Sequence, residues 1–104
     1  MANRWRGDVA LVIEGEPCVA RLTLGALAEL EEGLEEASLV GLVERFEASR
    51  FTSRDVISLL GAGLRGGGLD ISDEALSAAR IEGGPMAAAT AAAELLARAF
   101  VVPK

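Results

Sequence analysis

Two groups of residues in this sequence have types and spacings that could do chemistry. Gly61, Gly63 and Gly66, in the stretch VISLLGAGLRGGG, follow G-x-G-x-x-G, which cradles a pyrophosphate when a strand runs into the glycines and a helix starts among them. Glu29, Glu31, Glu32, Glu35 and Glu36 are the densest set of carboxylates in the chain, of the kind that holds a metal inside a helical bundle or works in pairs on a glycosidic bond. Both need a particular setting. The residues around the glycines read as a helix rather than a strand, because Val56, Leu59, Leu60, Gly63 and Leu64 fall on one helical face. The glycines are then expected to allow close helix packing at Gly63, to end the helix left-handed at Gly66, and to make a turn at Gly67-Gly68. The glutamates lie opposite Leu27, Leu30 and Leu34, so they read as a solvated helix face. The chain has no His and no Tyr, which removes the commonest general base, the commonest transition-metal ligand and every Ser-His pair. Ser53, Ser58, Ser72 and Thr90 therefore lack a base of the usual kind. No catalytic, cofactor-binding or metal-ligating residue is assigned.

The elements that must position these groups follow from periodicity. Val9 to Glu14 and Pro17 to Leu22 are β-prone runs flanking Gly15-Glu16, a Gly-X pair suited to a type II′ hairpin turn. In that register Ile13 faces Cys18, Leu11 faces Ala20 and Val9 faces Leu22, all on one apolar face. A slip of one residue would bring Arg21 onto it. Thr23 then caps a helix carrying Leu27, Leu30 and Leu34, with Gly33 weakening its end. Ser38 caps a second, with Leu39, Leu42, Val43 and Phe46 at i, i+3, i+4 and i+7. Thr52 or Ser53 starts the third, with Asp55 three residues after Thr52 as in a capping box. Ser72 caps a short fourth helix from about Asp73 to Arg80. Gly83-Gly84 links to a fifth, with Pro85 in its first turn, running to about Phe100. Its stripe is expected at Met86, Ala89, Ala93, Leu96 and Phe100, and its remaining alanines, Ala88 and Ala92 among them, make a small face that another helix could approach closely. The fold class is α+β, mostly helical: an N-terminal β-hairpin and about five α-helices in a single domain over 1–104, the hairpin over about 7–24 and the helical body over about 24–101.

Composition narrows the function classes. A net charge of −6, with the arginines spread along the chain, argues against a nucleic-acid surface. No apolar run approaches the roughly 20 residues of a membrane span, and MANRWRGD lacks the apolar segment of a secretory signal; a cytoplasmic location is the expectation. Cys18 is the single cysteine, which excludes an internal disulfide. It reads as a small side chain on a strand. Trp5, between Arg4 and Arg6, has two open readings: an exposed anchor for a partner, or a cover folded over the hairpin.

At Leu22 to Glu31 (LTLGALAELE) and at Arg54-Asp55-Val56 through Leu64-Arg65-Gly66-Gly67-Gly68, the sequence resembles the gene transfer agent proteins grouped with siphophage tail assembly chaperones, a family also catalogued as a tail tube protein. The resemblance covers nearly the whole chain, hairpin and terminal helix included. It implies a bacterial, non-enzymatic protein without cofactors. Its implied role is to bind the tape-measure protein during tail assembly in a gene transfer agent or prophage. The tail tube protein and a second copy of the chain are further candidate partners. A structural tail component is the alternative, and a small carboxylate-based or nucleotide-binding enzyme the remaining one. The resemblance transfers no contact residues. From physical grounds alone, Trp5, Ala88 and Ala92 are the candidate partner-binding residues.

Overall fold

A computed structural model describes residues 7–33 and 39–99; Trp5, Leu34, Glu35, Glu36, Ser38 and Phe100 lie outside the described residues. Strands β1 (Val9–Ile13) and β2 (Glu16–Ala20) form an antiparallel hairpin. Helices α1 (Leu24–Gly33), α2 (Leu39–Glu47), α3 (Ser53–Gly66), α4 (Asp73–Ala78) and α5 (Gly84–Ala99) follow. The class is α+β, as the periodicities indicate.

The hairpin register differs from the expected one. Val9 pairs with Ala20, Leu11 with Cys18 and Ile13 with Glu16, a slip of two residues that keeps every side chain on its face. The turn residues are Glu14 and Gly15, with φ of 52° and 79°, which is the both-positive pattern of a type I′ turn rather than II′. A tertiary contact explains why a glutamate accepts this conformation. The Glu14 N–H donates to the Arg80 carbonyl (2.8 Å), and the Arg80 N–H donates to Glu14 Oε1 (2.6 Å).

Helix α3 is the centre of the body. Leu59, Leu60, Ala62 and Leu64 are all at or below 1% exposed, and α1, β2, α4 and α5 pack around it. Its capping box is complete: the Asp55 N–H donates to Thr52 Oγ1 (3.1 Å) and the Thr52 N–H to Asp55 Oδ2 (2.9 Å). Thr23 and Ser72 cap α1 and α4 as expected, accepting from the amides of Ala26 and Ala75, each at 3.0 Å. Helix α4 stops at Ala78 instead of Arg80, because Ala79 turns extended and Ile81 bridges to Ile13 on the outer edge of β1.

The end of α3 also needs correction. Gly66 is helical, and the left-handed residue is Gly68, with φ of +103°. Gly66 is required by proximity: a Cβ there would collide with the Arg21 carbonyl oxygen, and one on Gly67 with that of Val19. Gly63 leaves a socket for Leu95 of α5, whose Cδ1 would stand 2.8 Å from an added Cβ. The Gly63 carbonyl meanwhile accepts from the Arg21 N–H at 2.8 Å.

Buried polar pairs tie these elements together. Arg21 binds the Asp8 carboxylate through two nitrogens, at 2.6 and 3.1 Å. Arg45 of α2 does the same to Asp55 of α3, at 3.0 and 2.9 Å. Burial of the Asp55 carboxyl opposes its ionisation, but the Arg45 guanidinium and the Thr52 amide outweigh this and hold its pKa below the usual value. An unfolded aspartate titrates near 3.9, so the ionised pair stabilises the fold fully above about pH 4, and the contribution fades as pH falls through the lower, folded value. Chemical denaturation at several pH values should therefore show a loss of stability below about pH 4 that is shallower in Asp55→Asn. An equally steep acid limb in that variant would assign the loss to other carboxylates.

Candidate partner-docking site

The two chemistry-bearing groups of the sequence resolve into structure. Gly61, Gly63 and Gly66 all lie within α3, where the amides are committed to the helical ladder and none is aimed at a phosphate. Of the carboxylates, Glu29 pairs with Arg65, while Glu31 and Glu32 are exposed to solvent. Arg65 also donates to the Ile71 carbonyl (2.7 Å) and to Asp73 Oδ1 (3.0 Å), so it clamps α1 and the start of α4 onto α3. Among the described residues, no group of three His, Cys, Asp or Glu is placed to hold a metal ion.

The proposed small face of α5 turns inward. Ala88 is 7% and Ala92 0% exposed, alongside Ala91, Leu95 and Leu96 in the core. A partner would meet Ala92 only if α5 left the body, whereas Ala88 lines a groove beside the start of α5. Of the stripe expected at Met86, Ala89, Ala93 and Leu96, Leu96 is buried as expected, but Ala93 is exposed and Met86 78% exposed, so the buried face is rotated from the expected one. An alanine-rich helix has no strong apolar direction of its own. The Gly63 socket for Leu95 fixes the face.

What the structure offers a partner is a groove of about 630 Å³ between the first half of α3, α4, the segment after α4 and the start of α5. Its walls are mainly apolar, with Phe51, Val56, Ile57, Leu76, Ile81 and Met86 contributing. Phe51 is held at one end by stacking on Phe46 of α2, with ring centroids 4.5 Å apart and planes 6° from parallel. A second depression, of about 390 Å³, lies at the hairpin turn, bordered by Val12, Glu14, Gly15, Arg80 and Glu82. The groove was not legible in the sequence. Its residues come from two stretches, 51–60 and 76–89, and the exposed Met86 departs from the expected pattern of apolar residues inside.

The hairpin, by contrast, has little edge to offer. The outer side of β1 is engaged by the segment after α4, through the Ile13–Ile81 bridge and the Glu82 N–H donating to the Val12 carbonyl at 2.9 Å. The outer side of β2 lies against the end of α3, through Arg21 and Gly63 and through the close approach of Gly67 to Val19.

Residues 6–101 match the protein family described as phage tail tube protein, GTA-gp10. The chain belongs to this family. The match spans the hairpin and all five helices, so the groove of this phage tail protein is built entirely from the matched region. Neither the search of curated proteins nor that of solved structures found a match. Among the described residues, no helix of this tail-family protein is long and apolar enough to cross a membrane.

Proposed function

We propose that this chain acts in tail assembly of a gene transfer agent or prophage as a chaperone of the tape-measure protein, working in the bacterial cytoplasm without catalysis or a cofactor. The groove covers an apolar helical segment of the tape measure and releases it when tube subunits take its place. One observation carries this reading: an open apolar groove with Met86 exposed at its mouth, in a protein whose short hairpin has both outer edges engaged by its own chain. Binding a helix in such a groove needs no free strand edge, whereas building a ring from paired strands does. The acidic net charge of −6 would keep the complex soluble.

A structural role in the tail tube is the second reading, favoured by the family's description. Co-expression with the tape-measure protein from the same source separates the two. For the chaperone, the tape measure becomes soluble and co-elutes at a defined ratio, and finished particles lack this chain. Retention in purified tails, with an insoluble tape measure, makes it a structural component. On the chaperone reading, Met86→Glu should leave the fold intact, since the side chain is mostly in solvent, and reduce tape-measure capture by about tenfold or more. Undiminished capture would remove the groove from the mechanism.

A further inference from the structure

Helix α2 is attached to the body differently from its neighbours. Each of the other described helices and strands runs with its backbone close alongside another, most of them against α3, whereas α2 runs alongside none of them in this way. Leu42 is its one fully buried side chain, with Leu39, Val43 and Phe46 half-covered against the core. Nine residues do not hold a helix by themselves, since isolated helices shorter than about 12–15 residues are marginal in water. The helicity of α2 therefore depends on that single apolar face.

Its remaining fastenings lie near its end. Arg45 forks onto Asp55 with its side chain still 32% exposed, a setting in which an ion pair adds little to stability. Phe46 stacks on Phe51. The helix then closes around Ser49, with the Arg50 N–H donating to the Arg45 carbonyl at 2.7 Å. Ser49 has a φ of 56°, the left-handed conformation that a glycine adopts freely at such a position and a serine adopts only at a cost. Opening of α2 releases that strain.

The start of α3 stands without α2. Thr52 and Asp55 satisfy each other's backbone amides, and α3 is packed by α1, β2, α4 and α5. Departure of α2 leaves the cap and these contacts in place.

We infer that α2 is a detachable flap, which opens as one unit by local unfolding while the hairpin and α1, α3, α4 and α5 stay folded. Opening uncovers Leu42 and Phe46 and takes the stacking partner from Phe51, which lines the apolar groove. The flap thereby governs how that end of the groove is held. This device goes beyond the tail-assembly reading and does not depend on it.

The test is hydrogen exchange of the full chain, read by NMR in low concentrations of guanidinium. A unit that opens locally exchanges with its own opening constant, whereas the core exchanges through global unfolding. The amides of Val43 to Glu47 should exchange together, about hundredfold faster than those of Leu59 to Leu64, and with a smaller dependence on guanidinium. Leu95→Ala, which empties the Gly63 socket, should speed exchange in α3 by about tenfold or more and leave that of α2 within about twofold, because α2 opens without breaking that contact. In Leu42→Glu the carboxylate reaches water by opening the flap. The α2 amides should then lose protection while Leu59 to Leu64 keep theirs. The proposal is overturned if α2 and α3 exchange at one rate with one guanidinium dependence, or if the α2 amides exchange independently of one another. It is equally overturned if Leu95→Ala speeds both helices alike, or if Leu42→Glu unfolds the whole chain or leaves α2 protected.

Discussion

Ala92→Arg is expected to abolish folding. Ala92 is 0% exposed on the face of α5 that packs against α3 and β1, within the cluster of buried apolar side chains. A guanidinium forced among apolar side chains is a buried charge, which costs about 3–5 kcal/mol when left unpaired. Forcing the longer side chain into a filled site adds about 1–3 kcal/mol. A domain of this size has a total stability of roughly 5–15 kcal/mol, so most or all of it is lost. Circular dichroism and soluble yield read the outcome. Met86→Arg places the same residue on the same helix at a position 78% exposed, where surface substitutions change stability by about 0.5 kcal/mol or less. A folded, cooperatively melting Ala92→Arg protein would mean that α5 does not dock on this face.

Gly66→Ala tests the other close contact, and here two effects of opposite sign compete. In a helix, alanine is favoured over glycine by about 1 kcal/mol, so the substitution would ordinarily stabilise. At Gly66 the new methyl would collide with the carbonyl oxygen of Arg21 and press on the Ala26 side chain. Backbone has to move, since no flexible side chain end is available to yield, and such overpacking costs about 1–3 kcal/mol or more. The expected net loss is about 2 kcal/mol, which lowers Tm by roughly 10 °C. Gly33→Ala is the matched control, because an added Cβ meets nothing within 4 Å and only the helical preference remains. A Tm for Gly66→Ala at or above the parent's would show that β2 and α3 are farther apart than described.

Much of the fold follows from local chemistry, and the reasons are specific. Thr23, Thr52 and Ser72 accept from free amides at helix starts, an interaction within four residues of sequence. Leu39, Leu42, Val43 and Phe46 recur at helical spacing and meet the core. The strand faces survive the slip in register because side-chain direction repeats every two residues. The opposite holds where local preferences are equal. Glu14-Gly15 and Gly15-Glu16 are both acceptable turns, and the contact with Arg80, 66 residues away, selects the first. Helix α5 is alanine on several sides, and Leu95 entering the space left by Gly63 selects its buried face.

The sequence by itself therefore determined the elements, the caps of α1, α3 and α4, the α+β class and the family, because each depends on near neighbours or on the order of residues along nearly the whole chain. Tertiary structure alone decided the turn register, the rotation of α5 and with it the burial of Ala88 and Ala92, and the groove between α3, α4 and α5. The physical reason is distance along the chain. A site assembled from Phe51, Val56, Leu76, Ile81 and Met86 exists only once packing brings those stretches together, and which faces are left uncovered depends on how every helix has turned.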